Sequence, residues 1–428
     1  MTSNSENRFP EGVVLTLAAL LGAVMVLAGL VLGRQALQGD DVGVETAAEE
    51  GPDVDSGVTT TTPTTSPAPS SSTTTEPAEP PTITPLDCPV GVDEVICRAA
   101  EFVQIQRERP FQEFPTVEIL PDAEFDAALL EDFDSYTADI EAWGVTLKAL
   151  GLVDPDTDLV DIYRQSLSLG VVGFYDTITG RLVVRGDDFG IYAQLVLVHE
   201  LTHALDDQWF DLDREQPDGE ADYGFSAVIE GNASRVENEW REGLGPDEQS
   251  QLLQEETSAL SAEDLSALLA LPPVILELDY SPYTDGLIYT STVAAAGGEA
   301  AVDEALTDPP TSSEEVLHPS TDRATDPEDV VDIPPADGEV AEEGRLGELL
   351  VTQWLGRSAA TGWGGDGYAS WTDEQGRSCI VADMVADDAS ELEELRTAAE
   401  GWAADGADRT VEDIDLAAGT GIRATGCA

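Results

Sequence analysis

The chain has 428 residues, with 86 Asp and Glu against 19 Lys and Arg, and a formal net charge of −67. This balance excludes nucleic acid as a partner, because phosphate recognition needs a patch of Lys and Arg, and it opposes docking on anionic lipid headgroups. Apolar residues still make up 42% of the chain, enough to bury a core, so disorder throughout is excluded too.

In chain order, a short tail (residues 1–11) precedes an uncharged run, Gly12–Leu32, GVVLTLAALLGAVMVLAGLVL. A bilayer core needs about 20 apolar residues in a helix, so residues 12–33 are expected to be a transmembrane anchor. A cleaved signal peptide would have an apolar region of about 7–15 residues ending in a small-x-small site. The following GRQALQGDD matches such a site poorly, and no cysteine follows before Cys88. Residues 34–85 are a Ser/Thr/Pro-rich acidic linker, a composition that forms no core and reaches on the order of 40 Å as a coil. Arg8 and Arg34 flank the span evenly, so the positive-inside rule barely decides its orientation. The stalk decides it better, since such stalks hold domains off the outer surface. The expected topology is therefore a cytoplasmic tail, one membrane span, a stalk and an extracytoplasmic domain over 86–428. That domain carries a net charge of about −58, so acid coats the folded part rather than filling a tail.

The four cysteines are Cys88, Cys97, Cys379 and Cys427, without CxxC spacing. In an oxidising compartment they form disulfides, and three pairings are open. Cys88–Cys97 would staple the start of the domain, and Cys379–Cys427 would tie the C-terminus to a strand.

Within the domain, Val171–Tyr175 and Leu182–Arg185 flank DTITGR and predict a β-hairpin. A helix follows from about Ile191 to Gln208, apolar on every side at Leu195–Val198 and therefore buried. A second helix covers Phe225 to Glu242. Residues 251–270 have the pattern of one amphipathic helix ended by Pro272 and Pro273. Residues 320–344 read as an acidic loop, Leu346–Leu355 and Ser390–Trp402 as helices, and Tyr368–Val385 as a hairpin around DEQG. Helices dominate with short strands before and after, so the fold class is α+β.

Two of the three histidines stand in VHELTHALDDQ, as His199 and His203 with Glu200 between them. Spacing of i, i+4 puts both imidazoles on one helical face, where they can share a tetrahedral Zn²⁺. Glu200 can reach a water in an open fourth position, the place of a general base in metal-assisted hydrolysis. A catalytic zinc needs a third protein ligand. Glu230 in FSAVIEGNASRVENEW is the leading candidate, because an acid among Ala227–Ile229 is costly to bury unless paired or metal-bound. Glu237, at i+7 on the same face, is either the ligand instead or an acceptor for a ligand imidazole. Asp206, one turn beyond His203, is a further candidate to orient an imidazole.

HELTH followed by a Glu on the next helix resembles the zincin metallopeptidases, in the branch whose third ligand is glutamate (gluzincins). Ser234 stands at i+4 from Glu230, where that branch's ExxxD-type motif has an acid. The metzincin motif HExxHxxGxxH is excluded, because Asp206 and Trp209 hold its last two places. The stretches HALDDQWFDL, Glu230–Gly231, EVLHP and GWGGD also resemble bacterial membrane-anchored neutral zinc peptidases. This likeness implies zinc at His199, His203 and Glu230, with Glu200 as base and a peptide or protein substrate.

A transition-state oxyanion needs a second donor, for which His318 is the leading candidate and Tyr280, Tyr283 and Tyr289 are rivals. GWGGD at 362–366 reads as turn chemistry rather than cleft lining. The rival function from another class is a non-catalytic, zinc-stabilised binding or scaffold domain of the envelope.

Overall fold

The computed structural model describes residues 86–428 apart from 321–330 and the single positions 87, 132, 168, 170, 187, 188 and 260. The expected anchor over 12–33 and the stalk over 34–85 lie outside the described residues. Among the described residues, no helix is long and apolar enough to cross a membrane.

In chain order the elements are α1 (Glu94–Gln106), β1 (Val117–Leu120), α2 (Asp122–Leu129), α3 (Thr137–Leu150), α4 (Leu159–Leu167), β2 (Gly173–Asp176), β3 (Arg181–Arg185), α5 (Ile191–Phe210) and α6 (Gly219–Gly243). They continue with α7 (Pro246–Ala259), α8 (Ala262–Leu268), α9 (Pro273–Gly297), α10 (Glu299–Thr307), α11 (Ser313–Leu317), β4 (Val340–Gly344), α12 (Gly347–Leu355) and α13 (Arg357–Ala360). The chain closes with β5 (Trp363–Thr372), β6 (Ser378–Ala386), α14 (Ala389–Ala404), β7 (Thr410–Asp415) and β8 (Thr420–Cys427). Helix outweighs strand and the sheets are segregated along the chain, which is the α+β architecture expected.

The first sheet has the order β1-β3-β2, with β1 parallel and β2 antiparallel to β3. The second is a five-stranded antiparallel sheet, β4-β5-β6-β8-β7. Its largest apolar cluster joins α3, α4, α12 and α14 through Ile140, Leu147, Trp363, Ile380, Met384 and Leu395. Disulfides link Cys88 to Cys97 and Cys379 to Cys427, the latter bridging paired positions of β6 and β8.

Two helices position the histidine motif. In α5 every residue from Leu195 to Asp206 is buried, as an apolar helix inside a protein must be. In α6, Asp218 caps the N-terminus by accepting from the Ala221 amide at 3.0 Å, with Glu220 and Asp222 in the first turn and Arg241 in the last. Helix α9 crosses α6 at glycines: a Cβ added to Gly231 would overlap the Gly286 backbone, and one added to Gly286 would overlap Ala227. Glycine there lets the two backbones approach without a side chain between them.

Several expectations are corrected. Residues 251–270 form two helices, α7 and α8, because Ser261 starts a new one with a capping box to Asp264. Pro273 does not end a helix but opens α9, since a first-turn proline gives up no intrahelical hydrogen bond. Residues 340–344 of the expected loop are the edge strand β4. GWGGD is not a turn: residues from Trp363 onward are buried strand, with a bulge between Trp363 and Gly365. Its Gly364 permits close backbone approach, a Cβ there falling about 3 Å from the Ala386 and Asp387 backbone.

Two buried acids help fix this arrangement. Asp366 accepts from the Leu346 and Gly347 amides and from Trp363 Nε1, while Glu220 accepts from the Ser313 amide and hydroxyl. Burial pushes Glu220 up to about 8 and Asp366 up to about 6. A carboxyl whose folded pKa exceeds its unfolded value binds its proton more tightly when folded, so its ionisation opposes folding as pH rises from the unfolded to the folded pKa. In excess chelator, the thermal midpoint is therefore expected to fall by several degrees as pH rises from about 5.5 to about 8. Glu220→Gln should flatten part of that slope. A midpoint that rises over this window would contradict the assignment.

Candidate metal centre

His199 and His203 lie one turn apart on α5, with their rings edge to face and 4.7 Å between centroids. Glu230 projects from α6 between them. Its Oε2 is 3.2 Å from His199 Nε2 and 3.4 Å from His203 Nε2, and all three residues are buried. Bonds of about 2.0–2.1 Å to a tetrahedral zinc put neighbouring ligand atoms about 3.3 Å apart, so these two separations fit that ion. His203 Nε2 and Glu230 Oε1 have no hydrogen-bond partner, the state of donor atoms reserved for a cation. Two imidazoles and one carboxylate are three donors of the kinds that zinc takes.

The orienting groups are also present. His199 Nδ1 is 3.1 Å from Glu237 Oε2, which fixes the tautomer that leaves Nε2 facing Glu230. Glu237 is held in turn by Arg241 at 3.3 Å. Of the two candidate acids, Glu230 thus stands at the ligand point and Glu237 behind an imidazole. Ser234, at i+4 from Glu230, offers no carboxylate, and the acid against His199 Nδ1 is Glu237, two turns along α6 from Glu230. Burial alone would lower the His199 pKa, but hydrogen bonds to Glu230 and Glu237 overcome it and raise it to about 10. Glu230 shows the converse: the imidazoles hold it at about 2 against burial. A metal would replace the proton that His199 otherwise keeps.

Glu200 is different in kind. Among the described residues eight acids are buried, and seven have a partner. Glu230 has the imidazoles, Asp206 has Arg107, Glu220 has Ser313, Glu256 has Arg241, Glu348 has His318, Asp366 has backbone amides and Asp383 has Arg423. Glu200 alone has both carboxylate oxygens buried and without a hydrogen bond. Burial pushes its pKa up to about 7, against the pull of His199 and His203. Space beside it comes from Gly173 on β2, where a Cβ would press on Val196 and lie 3.3 Å from Glu200 Cγ.

Of the expected oxyanion donors, the structure brings Tyr283 to the cluster. Its ring stacks on His199, 6.1 Å between centroids. Burial, then the charges of Glu230 and Glu200, raise its pKa well above the usual value, so it keeps its hydroxyl proton. Tyr280 packs in the same apolar cluster as Tyr283, and Tyr289 lies in another. His318 follows α11, and its Nε2 lies 2.8 and 3.0 Å from the oxygens of Glu348, not against the metal-ligand set. Helix α11 is anchored through Ser313 on Glu220, ten residues and hence about 15 Å along α6 from Glu230.

Asp206 does not orient an imidazole. It accepts from Arg107 Nε at 2.9 Å and Asn232 Nδ2 at 2.6 Å. The rest of DDQW docks neighbouring segments. Asp207 accepts from the Tyr175 hydroxyl and the Leu212 amide, Gln208 binds the backbone of Gln112 and Glu113, and Trp209 donates to the Pro110 carbonyl. No spacing in the sequence pointed to Arg107 or Asn232, because their partners are distant in the chain.

No protein-family model matches this chain, and no curated protein or solved structure matches it either.

The two candidate third ligands are separable by experiment. Glu230→Ala removes a donor and should abolish tight zinc binding, whereas Glu237→Gln should weaken it by about 10–100-fold, as loss of an orienting partner does. Zinc titration against a chromophoric chelator measures both, and the opposite ranking would move the third ligand to Glu237.

Proposed function

We propose that the protein is a zinc-dependent peptidase, held at the membrane by the apolar segment over 12–33, with its catalytic domain outside the cytoplasm. The observation that carries this reading is the unpartnered, buried carboxylate of Glu200 beside the three-donor set of His199, His203 and Glu230. A buried charge without a partner costs several kcal/mol in stability, so a purely structural site would gain by losing it. A structural zinc site would also close its fourth position with a protein ligand.

Zinc bound there would act as a Lewis acid toward a peptide carbonyl and make a water more acidic. Glu200 accepts the proton of the attacking water and delivers it to the departing amine, the work of a group titrating near neutral pH. Tyr283 takes the oxyanion-donor role first considered for His318, since its ring lies on His199 and its hydroxyl stays protonated. Glu237 holds His199 in the productive tautomer. Two disulfides within the domain agree with an oxidising compartment. The acidic surface favours cationic or neutral peptides over acidic ones.

The test is Glu200→Gln assayed on a peptide library with zinc content measured in parallel. Stoichiometric zinc with hydrolysis lowered by at least about 10²–10⁴-fold is expected. Undiminished hydrolysis in this variant would overturn the mechanism, and absence of cleavage by the wild-type protein would favour the binding-domain reading.

A further inference from the structure

Behind the histidine pair stands a closed ring of charged and polar side chains from four helices. Arg107, at the C-terminus of α1, is fully buried. It donates from Nε to Asp206 at 2.9 Å, from Nη2 to Asp303 at 2.9 Å and from Nη1 to Glu299. The second oxygen of Asp206 accepts from Asn232 Nδ2 at 2.6 Å. Asn232 Oδ1 accepts from Arg235 at 2.9 Å, and Arg235 pairs with Glu299 at 2.8 Å, which closes the ring. Arg109 joins from the rim through Asp303.

The ring has a specific relation to the metal ligands. Asp206 lies one turn beyond His203 on α5, and Asn232 lies two residues beyond Glu230 on α6. The Asp206–Asn232 hydrogen bond therefore ties the two helices within a turn of one ligand on each. Metal–ligand distances must hold to about 0.2 Å. Apolar packing between helices lets them slide by more than that, whereas a short, charge-assisted hydrogen bond fixes a distance. Asp206 could not serve alone, because a buried carboxylate needs a countercharge, and Arg107 provides it. Cations are scarce here, and three of the 19 Lys and Arg are committed to this one place.

We propose that Arg107, Asp206 and Asn232 form a positioning clamp that sets the His203–Glu230 spacing and thereby the zinc affinity of the site. The proposal rests on the reading of His199, His203 and Glu230 as metal ligands. None of the three clamp residues touches the reacting atoms; each acts through the helix that carries a ligand.

The experiment uses the full-length protein, zinc as the probe, and two readouts: zinc affinity by chelator competition and the thermal midpoint of the zinc-free form. Asn232→Ala is expected to weaken zinc binding by about 10–100-fold, the range for outer partners of metal ligands. Arg109→Ala, which loses the Asp303 pair and the stacking on Trp209 and Phe210 but leaves the Arg107–Asp206–Asn232 bonds in place, should leave zinc affinity unchanged even if it lowers the midpoint. Exchanging the pair, Asp206→Asn with Asn232→Asp, rebuilds one carboxylate–amide bond between the helices and should restore most of the affinity. If Asn232→Ala does not fold, Arg107→Lys decides by the same readouts, since it keeps the charge but loses the planar fork. Zinc affinity within threefold of wild type in folded Asn232→Ala or Arg107→Lys protein overturns the clamp while leaving the metal site standing. A wild-type protein that binds no zinc overturns both.

Discussion

The cost of burying charge organises this protein. With 86 carboxylates, nearly every acid must face water, and the few that enter the interior need a named counter-group. At the α5–α6 crossing the counter-groups are imidazoles for Glu230 and a guanidinium plus an amide for Asp206. These ties decide how the two helices meet. The helices in turn decide where α9 can lie, because Gly231 and Gly286 must face each other for the backbones to pass. Once α9 is in place, Tyr283 is brought over His199. Glu200 is left as the buried acid with no counter-group, and its burial becomes intelligible if a cation occupies the space between the histidines and Glu230.

How much of this was readable in advance depended on how local each signal was. The histidine motif was readable because i, i+4 spacing is complete within one helical turn and histidine is rare in this chain. Glu230 was readable because an acid inside an apolar run breaks the pattern of its own helix. The choice between Glu230 and Glu237 was not, since both share one face and only the approach of α5 separates them. Hairpins around DTITGR and DEQG were visible from turn residues bracketed by alternating patterns. Helix α9 was missed for the opposite reason: Pro282 lies inside it, and its apolar residues spread around the whole circumference instead of forming a stripe. GWGGD misled because glycine serves both turns and crowded strands, and only the neighbouring backbone at Ala386 and Asp387 tells them apart.

The oxyanion donor illustrates the same limit from the chemical side. His318 is the one histidine outside VHELTHALDDQ, and rarity alone gives it a functional look. Its ring is instead half exposed and set against Glu348. Three tyrosines within ten residues were indistinguishable as sequence. A helix turns about 100° per residue, so Tyr280 and Tyr283, three apart, share a face while Tyr289 points elsewhere, and it is Tyr283 whose ring lies over His199.

A protein with this excess of acid has no general need to place cations in its interior, where each carries a desolvation cost. Arg107 is nevertheless among the largest fully buried side chains, and it caps the C-terminus of α1, the helix that carries Cys97 of the Cys88–Cys97 bridge. The segment after it, through Gln112 and Glu113, is bound by Gln208 and Trp209 at the end of α5. The start of the folded domain is thus fastened to the very helix that carries both histidines. That fastening uses the side chains of Asp206, Gln208 and Trp209, which follow HELTH and take no part in binding metal. The string DDQW is accordingly a docking sequence: it seats the start of the described domain against the helix that carries both histidines, with Arg107 on Asp206, Gln112 and Glu113 on Gln208, and Pro110 on Trp209.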